Sequence, residues 1–208
     1  MLETRLYTIL DSSPVLYDRP FSAESLAEDF EIKDGKWYVD EGGWLVGENR
    51  QSSAAMVMSR GEYFGDVLVE FDAATVAPAT RDINVTFHGS WDEENNMRGV
   101  AYVFGLEGWW RGLVGFEKSP KYDLVVNSKL LDFAPGKTYH VVVGNIENEL
   151  FLFVDGVLAM QVSDPDPIDV FKHGRVGFEA FCTKVKYKNL VIKQVEKVYS
   201  KKDYEPEF

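Results

Sequence analysis

The segment Glu149–Val162, ELFLFVDGVLAMQV, constrains the fold of this chain more than any other. Two apolar runs flank Asp155–Gly156, a dipeptide that tolerates the positive φ of a two-residue turn, so the segment reads as a tight β-hairpin. Gly174–Ile192, GRVGFEAFCTKVKYKNLVI, follows it. There apolar residues alternate with Gly, Glu and Lys, the signature of two further strands. Together these pieces predict an antiparallel β-sandwich.

The rest of the chain agrees. Asp66–Ala73 sets Val67, Val69 and Phe71 against Leu68, Glu70 and Asp72, and Ile83–His88, Val100–Gly105, Leu113–Lys118 and Tyr139–Ile146 also read as strands. Only Ala23–Phe30 reads as a helix, capped by Ser22. One short helix and about a dozen strands separated by Gly, Asp, Asn and Pro favour a sandwich or jelly roll over a parallel sheet. No repeat or composition shift divides the 208 residues, so the expectation is one domain over 1–208, with its core at about 15–195 and a charged tail at 201–208.

The formal net charge of −12 repels phosphate backbones and argues against a nucleic-acid partner. Lys184, Lys186, Lys188 and Lys193 cluster, but at strand spacing, as a solvated face or guarded edge would place them. The lone Cys182 excludes an internal disulfide and, in its apolar context, reads as a buried inert thiol. No segment approaches the ~18 apolar residues of a membrane span. With no leader pattern at the N-terminus, the expected location is cytoplasmic.

Several segments resemble the 3-keto-disaccharide hydrolase-like domains of the concanavalin A-like jelly-roll group, which also holds laminarinase-type glucanases and many lectins. They are Trp37-Tyr38-Val39, Gly43-Trp44-Leu45-Val46, Tyr63–Phe71, the Asp155–Gly156 hairpin, and Val176–Glu179 with Val185–Ile192. The resemblance spans about residues 15–195 and implies a concanavalin A-like jelly-roll β-sandwich of two antiparallel sheets. It also implies a glycoside or keto-glycoside as substrate. Relatives often carry Gln and, two residues later, His where this chain has Glu179 and Phe181, and the laminarinase Glu-x-Asp-x-x-Glu signature is absent.

Alternation assigns faces. Ile83, Val85 and Phe87 turn inward, leaving Asn84, Thr86 and His88 outward. Val114 and Phe116 turn Glu117 outward; Val176, Phe178 and Ala180 turn Glu179 and Phe181 outward. Ala101 and Val103 are expected inside, with Tyr102 and Phe104 on the open face. Glu117 and Glu179, with His88, form the candidate catalytic set, since two carboxylates flanking a glycosidic bond are the usual acid and base. Trp109, Trp110 and Arg111 in GLEGWWRG, Trp91 and Arg98 in the preceding loop, and Tyr102 are the candidate sugar contacts. No histidine pair has metal-ligand spacing, so no metal or other cofactor is expected, although the acidic stretches Asp92–Asn96 and Asp164–Asp169 have oxygens of the kind that calcium takes. The partner expected is an oligosaccharide or glycoside. A non-catalytic binding module and a homo-oligomeric interaction domain are the alternative readings.

Overall fold

The structure is a computed structural model and describes residues 1–108 and 112–200. Its strands are β1 (Leu2–Glu3), β2 (Tyr7–Ile9), β3 (Val15–Tyr17), β4 (Phe30–Ile32), β5 (Lys36–Val39), β6 (Leu45–Ser59), β7 (Val67–Thr75), β8 (Ile83–Gly89), β9 (Trp91–Asp92) and β10 (Met97–Arg98). They continue with β11 (Ala101–Leu106), β12 (Val114–Ser119), β13 (Val125–Ser128), β14 (Tyr139–Ile146), β15 (Glu149–Val154), β16 (Val157–Ser163), β17 (Arg175–Gln194) and β18 (Lys197–Tyr199). The helix α1 (Ala23–Asp29) lies between β3 and β4. Ser22 caps it, accepting from the Ser25 amide while the Ser25 hydroxyl accepts from the Ser22 amide.

The fold is the expected all-β jelly-roll sandwich, and two long strands join its layers. The front sheet runs β13-β12-β11-β8, then the first half of β17, the second half of β6, and β4. The back sheet runs β16-β15-β14-β7, then the second half of β17, the first half of β6, and β5. Alternation predicts two strands within Gly174–Ile192, but β17 is continuous. It changes sheet at a bulge where the register shifts between Phe181 and Thr183 and Cys182 takes φ +51°. A bulge leaves one residue unpaired and bends its strand, which is how a strand can serve two sheets. The same geometry corrects the reading of Cys182, which is exposed at the corner.

Between the sheets, Phe178 stacks on Tyr187 with ring centroids 4.2 Å apart and meets Phe71 edge-on at 5.5 Å. The Asp155–Gly156 turn is as read: both residues have positive φ, +50° and +81°, and Val154 pairs with Val157. The expected core omits the N-terminus, yet β1, β2 and β18 form a small sheet of their own. Its Ile9 packs with Leu68, Val142, Phe151 and Phe153 in a second apolar cluster on the back sheet's outer face. The lysine stripe is the partly solvated strand face foreseen. Lys184 pairs with Glu48, Lys193 pairs with Glu70, and Lys186 lies over the Trp44 ring at 4.4 Å.

Candidate functional site

The outer face of the front sheet forms a trough. Glu117 on β12 is opposite Val103 on β11, Val103 is opposite Thr86 on β8, and Thr86 is opposite Gly177 on β17. One residue pair further along, Gly115, Gly105, Asn84 and Glu179 form the next row. Side chains between the two glutamates are therefore small or apolar, and the carboxylates rise on either side of a low floor. The resulting cleft has a volume of about 650 Å³, with Val103 and Asn84 among its lining residues and the exposed rings of Tyr122 and Phe181 at its rim.

Arg98 organises this cleft. It stands on β10, which pairs with β9 in a small hairpin over the sheet. That hairpin is braced by Asp92, whose carboxylate accepts from the Glu94 and Asn95 amides and the Asn95 side chain. This brace supplies an internal role for the acidic stretch Asp92–Asn96. The guanidinium donates through Nη2 to Glu117 Oε1 at 2.7 Å and through Nη1 to Glu179 Oε2. All three side chains are nearly inaccessible, at 10%, 4% and 8% exposure for Arg98, Glu117 and Glu179. Burial alone disfavours the charged guanidinium, but Glu179 and Glu117 together outweigh this and raise its pKa. Among the described residues, Arg98 Nε and Asn84 Oδ1 are buried without hydrogen-bond partners.

Asp82 is the residue that the sequence reading missed. It precedes β8 with φ +80°, a left-handed conformation uncommon for residues other than glycine, and is only 5% exposed. Its Oδ1 accepts from Asn84 Nδ2 at 2.9 Å and its Oδ2 from the Phe181 amide at 2.9 Å, so it also ties down the corner of β17. Burial, reinforced by the Glu179 charge, pushes its carboxyl up to about 6. Extending the outward set Asn84–Thr86 by one step toward the N-terminus gives residue 82. The alternation thus held a signal for it, one step beyond the apparent strand end.

The raised carboxyl has a thermodynamic consequence. Folding favours the neutral form of Asp82; that contribution is complete below pH 3.8 and is lost as the pH rises through about 6. Its size is on the order of 2–3 kcal/mol. Relative to Asp82→Asn, the wild type is therefore expected to gain stability as the pH falls from about 7 to about 4, as read from paired urea titrations. A pH-independent difference between the two proteins would contradict this origin. The comparison separates Asp82 from His88, whose pKa burial lowers and whose contribution therefore has the opposite pH trend.

Of the other residues singled out by sequence, Arg98, Glu117, Glu179 and Phe181 come together in the cleft. Trp91, opposite Arg98 across β9 and β10, lines an adjoining cavity of about 260 Å³ that shares Arg98 and Tyr122 with the cleft. Two expectations are overturned. His88 is fully buried between the sheets, its Nε2 2.8 Å from Asn145 Oδ1 and its Nδ1 3.2 Å from the His173 carbonyl. Its φ of +47° breaks the alternation of β8 and turns the ring away from the outer face. Tyr102 and Phe104 belong to the core, and Val103 faces the cleft. Every residue from Ala101 to Phe104 is apolar or aromatic, so alternation could not rank the two sets; the bulkier rings fill the space between sheets. The Tyr102 hydroxyl donates to Asp164 Oδ2 at 2.8 Å and accepts from the Ile168 amide at 2.9 Å, tying down the second acidic stretch. Trp109, Trp110 and Arg111 lie outside the described residues, beyond Gly108 on the cleft wall.

No family model matches the sequence, and no curated protein matches it in sequence. Solved structures do resemble it in fold. The carbohydrate binding module CBM66 from Bacillus subtilis aligns with TM-score 0.64 at 17% identity, covering 79% of this chain and 95% of the module. A Bacillus subtilis protein of unknown function with a galectin-like fold aligns with TM-score 0.68 at 13% identity, over 91% of this chain and 98% of that one. Crh5 transglycosylase in complex with NAG aligns with TM-score 0.61 at 11% identity, over 88% of this chain and 86% of the other. At such identities the likeness is one of fold.

Proposed function

We propose that the protein binds a carbohydrate in the front-sheet cleft, gripping ring hydroxyls with the Arg98–Glu117–Glu179 cluster. The observation that carries this reading is that cluster: a buried guanidinium shared by two carboxylates in a cleft rimmed by the exposed Tyr122 and Phe181. Carboxylates accept from hydroxyl protons and the guanidinium donates to hydroxyl oxygens, while an aromatic ring covers the C–H face of a pyranose. A sugar presents those two faces. Two of the three fold relatives are named for carbohydrate binding or transglycosylation, which supports the same ligand class.

Calorimetry against cello-, laminari-, xylo-, manno-, chito- and fructo-oligosaccharides tests the proposal. Saturable binding of at least one series is expected. Tyr122→Ala should weaken it about tenfold, the equivalent of one aromatic contact of ~1.4 kcal/mol. No binding across the six series would reject the reading, and undiminished binding by Tyr122→Ala would remove the rim from it.

A further inference from the structure

We infer that the cleft is also hydrolytic, with Asp82 as the proton donor and Glu179 as the base, an activity that rests on the carbohydrate reading above. Asn84 is the direct cross-strand partner of Glu179, and Phe181 donates its amide to Asp82. Asp82 and Glu179 are thus diagonal neighbours on adjacent chain segments, and both line the cleft. Diagonal positions on one sheet face bring Cβ atoms within roughly 7–8 Å, so the two side chains open onto the same part of the cleft. Glu117 stands further off, with β11 and β8 between it and Glu179.

The two carboxyl groups have been made unlike. Asp82 is buried and its carboxyl is pushed up to about 6, whereas Glu179 is held by the Arg98 guanidinium. The groups around Asp82 account for the difference. Burial dominates; Glu179 adds to it; the Asn84 amide, the Phe181 N–H and Arg81 oppose it. On the far side the Tyr187 hydroxyl donates to the Asn84 and Glu179 carbonyls, and the Asp82 charge raises its pKa further. A buried carboxyl whose pKa is raised, beside a side chain paired with a guanidinium, sets a proton donor next to a proton acceptor in one cleft.

The step balances with water as co-reactant. The Asp82 O–H bond breaks and its proton passes to the glycosidic oxygen. The bond from that oxygen to the anomeric carbon breaks, and its electron pair stays on the leaving oxygen. Glu179 takes a proton from water as the water oxygen bonds to the anomeric carbon. One alcohol and one hemiacetal result, and exchange with solvent returns the proton from Glu179 to Asp82.

The experiment measures reducing-end release from the same six oligosaccharide series, and phenol release from 4-nitrophenyl glycosides of whichever sugar is cleaved. Wild-type activity on oligosaccharides is expected to fall as the pH rises through about 6, because Asp82 must hold its proton. Asp82→Asn keeps an acceptor for the Phe181 amide, and should lower oligosaccharide cleavage by roughly 10²–10⁴-fold. On 4-nitrophenyl glycosides, whose leaving group needs no proton, its loss should stay under about tenfold, a split that a merely structural role of Asp82 does not produce. Glu179→Gln should lose both. Oligosaccharide binding with no cleavage overturns hydrolysis and leaves the binding reading standing, whereas no binding and no cleavage reject both. Equal losses of Asp82→Asn on the two substrate types, or none, remove Asp82 as the acid. Were Asp82→Asn to lose its sugar binding as well, the wild-type pH limb decides by itself: a rate flat from pH 5 to about 8 overturns the assignment.

Discussion

Arg98→Met is expected to destabilise the fold by about 3–5 kcal/mol and to abolish sugar binding. The substitution keeps most of the side chain's apolar volume and removes only its charge and donors. It leaves Glu117 and Glu179, 4% and 8% exposed, facing each other across the cleft without the cation that joins them. Glu179, nearly inaccessible and deprived of its guanidinium, is left as a buried charge, which is why removing one partner is far more damaging than replacing all of them. For a chain of this size the loss corresponds to a fall of roughly 6–20 °C in melting temperature. The triple variant Arg98→Met, Glu117→Gln, Glu179→Gln should recover most of that stability and none of the binding. Thermal melts and calorimetry on the pair of variants check the two halves of the claim separately. A single variant as stable as wild type would mean that the cluster is solvated and weakly coupled.

Phe178→Ala is expected to cost about 3–5 kcal/mol, the usual range for removing a fully enclosed phenyl ring. Phe178 has no exposed surface and contacts aromatic rings from three segments: Tyr187 at 4.2 Å, Phe71 at 5.5 Å and Phe21 at 6.2 Å. Phe71 and Tyr187 lie on the long strands β7 and β17, each paired on both sides, so the cavity would collapse only partly. Phe178 is also next to Glu179, on the stretch of β17 that faces the cleft. Urea unfolding should show a lower midpoint with an unchanged slope, and sugar affinity should fall as the strand relaxes. A loss below about 1 kcal/mol would show that the two sheets repack freely around the gap.

Alternation located four residues of the cleft. Glu117, Glu179, Phe181 and Asn84 follow from apolar partners that can only point inward, such as Phe116 and Phe178, and a strand with one obvious core face reveals its other face as well. Where both faces are apolar, as from Ala101 to Phe104, the pattern has no contrast, and Tyr102 was placed on the wrong side of β11. Local backbone reversals were hidden too. Positive φ at His88 and Cys182 turns each residue out of the phase that its neighbours set, and no residue type marks these positions. The contact that defines the site, Arg98 with Glu117 and Glu179, joins residues 19 and 81 positions apart.

The sequence by itself determined the architecture: period-two runs broken by turn residues, the Asp155–Gly156 hairpin and the Ser22 cap are local signals, each carried within a few residues. Strand pairing order, the crossing of β6 and β17 between sheets, and the gathering of Asp82, Arg98, Glu117 and Glu179 were decided only by the tertiary structure. The physical reason is one of range. Turn and strand preferences act over neighbouring residues, whereas the field felt by a buried carboxyl comes from groups that only the packing of two sheets brings close.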